Sequence, residues 1–440
     1  MQFELPDGWQ WKPLESLCER VSVGHVGETS EHFSDVGVPL LRSQNVRPGR
    51  LDMTDVRYVT PDFHAKAKKS QLKPGDVLVV RVGQNRGDCA VVPDGFPELN
   101  CANIVFARPD RRYSKFIGYY LNSAGGRGAL LALSSGSAQL VLNTKAVAQV
   151  EVPVPPTETA ELISRVLGTL DDRINLLRET NTTLESIAQG LFKSWVIDFD
   201  PVRAKAEGRE PEGLDAATAA LFPSEFEDSE LGSIPKGWSV QPIGDLVDAV
   251  GGSTPDTKNE TFWEPAVHHW TSPKDLSGAT APVLLDTERK VSDAGLAKIS
   301  SGLLPVGTLL MSSRAPIGYL SLSQVPVAIN QGYIAMPPGG SLPPEYMYFW
   351  CQLNMDAIKG RANGSTFMEI SKKAFRPIPA LLPSPEVVKR FHEFAAAVFK
   401  RVTANERQAR ALAELRDTLL PRLISGKLRL PEAMQELEVA

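Results

Sequence analysis

At 440 residues the chain is too long for one ordinary core, so two domains are expected, and 42% hydrophobic with 22% charged residues is the balance of a soluble globular protein. No apolar run reaches the roughly 18 residues of a membrane span, Met1-Gln2-Phe3-Glu4 lacks the regions of a signal peptide, and Cys18, Cys89, Cys101 and Cys351 form no CxxC pair. This argues against a membrane segment, a zinc knuckle and a disulfide framework, and for a cytoplasmic protein with four buried thiols. The formal net charge of -5 is unevenly spread: ten Lys and Arg stand against five Asp over 39–90, whereas ten acids stand against three bases over 198–233. Base lies where a binding face is expected and acid where a linker is.

The chain opens on Leu5-Pro6-Asp7-Gly8-Trp9, followed by Pro13, Leu14 and Leu17. The spacing returns in Ile234-Pro235-Lys236-Gly237-Trp238 with Pro242, Ile243 and Leu246, an internal repeat in which each copy starts a domain by docking a tryptophan. Next, Leu72-Lys73-Pro74-Gly75-Asp76-Val77-Leu78-Val79-Val80-Arg81 is matched by Leu304-Pro305-Val306-Gly307-Thr308-Leu309-Leu310-Met311-Ser312-Ser313-Arg314. In both, a turn glycine feeds a short buried strand that ends in polar and basic residues. Leu99-Asn100 and Ile329-Asn330 each lead into another apolar strand, and helices are predicted over 114–123 and 344–359. Gly136-Ser137 and Gly364-Ser365 precede Leu142 and Ile370, and then a strand ending at Pro155 or Pro383.

From Thr157 to Ile197 apolar residues recur at helical spacing: Ile163, Leu167, Leu170, Ile174, Leu177, Asn181, Leu184, Ala188, Leu191 and Trp195. This is a heptad seam on one long helix, with Thr157 as its N-cap and Glu158 and Glu161 in the first turn, where the helix dipole favours negative charge. At about 1.5 Å per residue it is a rod of about 60 Å. A shift of 228 positions (385 less 157) finds its copy: Phe391, Val398, Val402, Leu412, Leu419 and Leu423. Ser384 is that copy's N-cap, Pro385 its first residue, and Pro421 a kink near its end. The two narrow stripes are expected to pair antiparallel, with Asn181 and Asn405 as polar seam residues that fix register. The expected divisions are thus 1–156, a helix over 157–197, an acidic connection over 198–233 with a short helix at 214–221, then 234–384, a helix over 385–426, and a tail over 427–440. The globular parts read as α+β.

No catalytic constellation assembles. Gly426-Lys427-Leu428 lacks the other residues of a phosphate loop, Pro93-Asp94 with Glu98 lacks a nuclease lysine, and His268-His269 in a strand points its rings to opposite faces. No catalytic or metal-binding residue is therefore assigned. Donor and acceptor clusters suited to base edges and phosphates are instead present in both halves. The first half offers Arg42, Ser43, Gln44, Asn45, Arg81, Gln84, Asn85, Arg86, Ser137 and Gln139. The second offers Thr271, Ser272, Lys274, Arg314, Asn330, Gln331, Ser365, Thr366 and Lys372. The framework repeats while these residues differ, so two similar scaffolds would read two different short sequences.

The paired Pro-x-Gly-Trp starts, Leu72-Lys73-Pro74-Gly75-Asp76-Val77-Leu78, the stretch from Leu191 to Val202 and that from Leu419 to Leu428 together resemble the specificity subunit of type I restriction-modification enzymes, over essentially the whole chain. The resemblance implies two target-recognition domains in tandem, held apart by two long helices packed as an antiparallel coiled coil. Each domain would read one half of a split double-stranded DNA site. It also implies that the chain does no chemistry and binds no cofactor. Two modification subunits would bring S-adenosylmethionine, and restriction subunits would bring ATP and Mg. The competing expectations are a stand-alone nuclease, which would cut DNA with Mg alone, and a scaffold with no DNA role.

Overall fold

The computed structural model describes residues 4–96, 98–133, 141–364 and 368–428. The chain forms two compact units, residues 1–173 with 411–440 and residues 174–410. Each mixes small sheets with helices, and each contains part of both long helices.

In the first unit, Trp9 N–H donates to Pro6 O at 3.1 Å and Gly8 has φ 82°. A turn of this kind needs a left-handed residue third, which glycine supplies without strain. The turn delivers Trp9 onto Phe116, ring centroids 6.1 Å apart. Gln10–Pro13 then pairs antiparallel with Glu151–Val154, the strand that leads into the first long helix. One sheet orders Cys89–Val91, Val77–Val80, Ile104–Pro109 and Cys18–Val23, all antiparallel. A second is built on the parallel pair Val38–Leu41 and Leu99–Cys101. The Val-Leu-Val-Val strand is buried on both faces because successive side chains point opposite ways. Val77 and Val79 join the core under the Arg111–Asn122 helix, while Leu78 and Val80 join a second core with Leu41, Cys101 and Phe106.

The second unit repeats this plan. Trp238 N–H donates to Pro235 O at 3.1 Å with Gly237 at φ 84°, and Ser239–Pro242 pairs with Pro379–Leu382. Leu309–Ser313 lies between Ile317–Ser323 and Tyr333–Met336, and His268–Thr271 runs parallel to Val327–Ile329. Leu309 and Met311 face one core and Leu310 another. One close approach recurs: a Cβ on Gly24 would sit 2.5 Å from Cys101 O, and one on Gly252 would sit 1.8 Å from Ile329 O. Only glycine lets these backbones meet.

The helix expected over 114–123 spans Arg111–Asn122, and that over 344–359 is two helices, Pro344–Leu353 and Met355–Gly360. The 198–233 segment does more than connect. It carries helices Asp200–Ala206 and Ala216–Ala220 and the Phe226–Ser229 strand, and sends Val202 and Phe222 into the second unit's core. Cys89, Cys101 and Cys351 are buried, and burial pushes their thiols far upward; Cys18 is only half-buried, its thiol raised to about 12 by burial and then by Asp76. Among the described residues, no helix is long and apolar enough to cross a membrane.

The first long helix is Thr157–Phe192, continued by a π-helical turn Lys193–Ile197, and the second is Pro385–Ile424 with Pro421 inside it. Thr157 is not the cap. Pro156 O accepts from Ala160 N at 3.0 Å, and the Thr157 hydroxyl lies 2.9 Å from Tyr113 OH. Ser384 does sit at the cap, its carbonyl accepting from Val388 N at 3.1 Å. In the first unit Asp171 meets Arg416 at 2.7 Å. In the second, Asn405 Nδ2 donates to Asn181 Oδ1 at 2.8 Å, while Phe192 meets Phe391 with centroids 5.2 Å apart. Rising numbers on one helix thus meet falling numbers on the other, and the pairing is antiparallel. Of the expected seam, Leu170, Ile174, Leu177, Asn181, Val398, Val402 and Leu419 are buried; Leu184 and Leu412 are half-buried.

Candidate nucleic-acid interface

Three strands of the first unit deliver the chain to one edge. Leu41 lies beside Cys101, with Ala102 N–H donating to Leu41 O at 2.9 Å, and Val80 lies beside Ile104. Residues 42–45, 81–86 and 102–103 therefore emerge together. Arg42 heads the short Ser43–Asn45 turn, its N–H donating to Asn45 Oδ1 at 2.9 Å. Asn45 is fully buried and also donates from Nδ2 to Asp52 O at 2.9 Å, so its amide is engaged inside the turn. Ser43 is half-buried, and Gln44 is exposed with Nε2 on Asp55 Oδ2 at 2.6 Å. The Arg42 guanidinium donates to Asp55 O at 3.1 Å.

Arg81 opens the hairpin loop, with Nη1 3.5 Å from Asn103 Oδ1. Gln84 is exposed; Asn85 and Arg86 are half-buried, and Arg127 braces the loop by donating to Arg86 O at 3.2 Å and to Asp88 Oδ1 at 2.6 Å. Ser137 and Gln139 lie outside the described residues.

The second unit brings the same three strand ends together. Thr271 lies beside Ile329, Asn330 N–H donates to Thr271 O at 3.0 Å, and Ser313 N–H donates to Gly332 O at 2.8 Å. Ser272 heads a turn, its N–H donating to Asp275 Oδ2 at 2.8 Å, as Arg42 does to Asn45. The structural match is therefore one residue from the one in the sequence, with Ser272 standing where Arg42 does. Asn330 likewise stands where Ala102 does; Asn100, its counterpart by sequence, is buried against His64.

Thr271 is fully buried beside Tyr333 OH, 3.1 Å away. Lys274 is exposed and bonds Glu288, which raises its pKa, just as Gln44 bonds Asp55. Asn330 Oδ1 accepts Gly332 N–H at 2.8 Å, and exposed Gln331 accepts the Thr254 hydroxyl at 2.7 Å. Arg314 sits 3.7 Å from Glu369, and Lys372 lies against Gly251. Ser365 and Thr366 lie outside the described residues. Sequence reasoning passed over Asp275, which organises its turn, and Asn103, whose φ of 58° suits asparagine at a tight corner.

Residues 6–186 and 235–412 both match the family model described as the type I restriction modification DNA specificity domain. The chain belongs to this family. The specificity-domain chain is 28% identical over 418 residues to the type I restriction enzyme HindI specificity subunit of Haemophilus influenzae, covering 83% of this chain and 89% of that one. It is 19% identical to the putative MjaX specificity subunit of Methanocaldococcus jannaschii, covering 97% of this chain and 95% of that one. A crystal structure of a type I restriction-modification S subunit from M. genitalium shares the fold, with TM-score 0.56 and 16% identity over 96% of this chain and 98% of that one. Two specificity domains in tandem, each built of small sheets and helices, thus account for the repeat seen in the sequence. Among the described residues no cluster of three His, Cys, Asp or Glu could hold a metal.

Proposed function

We propose that this chain reads a split, asymmetric site on double-stranded DNA, one half through the strand-end loops of each unit. The carrying observation is that one geometry occurs twice with different side chains: a capped turn after the parallel strand, tied to an acid by Gln44 in one unit and Lys274 in the other. Arg42 and Gln44 on one turn and Lys274 on the other suit base edges and phosphates.

In this reading residues 1–156 and 234–384 are the recognition domains, and the helices over 157–197 and 385–426 set how many base pairs go unread. The chain does no chemistry of its own and works in the cytoplasm. Two modification subunits bind S-adenosylmethionine and methylate adenines turned out of the duplex, and restriction subunits use ATP and Mg.

A matched insertion of one heptad in each long helix tests the spacer. Sequencing of methylated DNA from cells carrying it should show a wider gap with both half-sites unchanged. An altered half-site with the old gap would contradict the reading.

A further inference from the structure

The strand that pairs antiparallel with each turn's parallel strand carries an arginine at the same register. Arg57 pairs with Leu40, the penultimate residue of its parallel strand, and Arg289 pairs with Trp270, the penultimate residue of the equivalent strand. Both are exposed, and neither has a carboxylate partner among the described residues. The acids nearby are engaged elsewhere: Asp55 with Gln44 and Arg42, Glu288 with Lys274, and Asp286 with His269 and Lys290.

Arg289 is also held in place. Its guanidinium lies over the Trp263 ring, 3.4 Å from the centroid, and 5.5 Å from that of Trp270. Stacking fixes the plane of the group and leaves its N–H edges open, the state in which arginine grips a phosphate. The turn residues beside these arginines change from unit to unit, while the arginine does not. A group that stays while the readers change is suited to a feature common to all sequences.

We propose that Arg57 and Arg289 are equivalent phosphate anchors, each seating the DNA backbone beside its own unit's reading turn; this rests on the DNA-reading function proposed above. The full chain, assembled with its modification partner, is titrated with mixed-sequence duplexes over a range of salt. Each phosphate contact contributes about 0.9 to the slope of log K against log salt. Arg57→Gln and Arg289→Gln should each lower the slope by about that much, and the double variant by about twice as much. The loss should be equal on duplexes of different sequence, and Lys at either position should restore the slope. Melting temperatures are followed in parallel, since a merely structural role would move those and leave the slope unchanged. Wild-type binding that depends on salt, with variant slopes unchanged or losses confined to one sequence, would overturn the anchors alone. No duplex binding by the wild-type assembly at low salt would overturn the DNA reading and the anchors with it.

Discussion

In the first unit the turn before the central strand closes on a charge. Asp76, fully buried, accepts Lys73 N–H at 2.8 Å and takes two hydrogen bonds from Arg108 at 2.7 and 2.8 Å. In the second unit the same turn closes on the Thr308 hydroxyl, which donates to Pro305 O at 2.7 Å, and Pro337 stands at the register of Arg108. A buried carboxylate is tolerable only beside a hydrogen-bonded cation, so the acid and the arginine are present together or absent together. The glycine of the turn does not vary, because its positive φ, 89° at Gly75 and 85° at Gly307, leaves no alternative. The units agree where backbone geometry leaves no choice and differ where two side chains can change in concert.

This contrast breaks first at Arg108. Arg108→Met strands the Asp76 charge and should cost about 3–5 kcal/mol in urea unfolding, whereas Thr308→Val should cost only about 1 kcal/mol. Equal losses would show that the turns are not held differently. The two close-approach glycines come next. Gly252→Ala should cost about 3 kcal/mol, the upper end for overpacking, because the added carbon meets a backbone oxygen, and Gly24→Ala somewhat less. The last contrast lies in the helix seam, where the first unit uses the Asp171–Arg416 pair and the second the buried Asn181–Asn405 pair. Asn405→Leu should cost about 1–3 kcal/mol by leaving Asn181 unpaired, and adding Asn181→Leu should recover most of it. Failure to recover would mean that the amides are more than a register device.

Much of this was legible in the sequence because it follows from strong local rules. The Pro-x-Gly-Trp turns, the glycine-fed strands and the heptad seam declare themselves by spacing. What the sequence hid depends on register. Arg42-Ser43-Gln44-Asn45 aligns by eye with Thr271-Ser272-Pro273-Lys274, but strand pairing sets Arg42 against Ser272 and Asn45 against Asp275. A one-residue slip moves a side chain from the surface to the core. Asn45 reads in the sequence as one more exposed donor, although its amide is engaged inside the turn. Thr157 read as a cap because nothing local shows that Tyr113 takes its hydroxyl. Arg57 and Arg289 look like ordinary surface charge until pairing places them at one register.

The measurement that goes most directly to the division of labour is the methylated-site sequence left by Gln44→Ala and by Lys274→Ala, each assembled with its modification partner. The expected result is that Gln44→Ala relaxes one half of the site and Lys274→Ala the other, with the gap unchanged in both. If both variants relaxed the same half, or if either shifted the gap, the claim that each unit reads its own half would be contradicted.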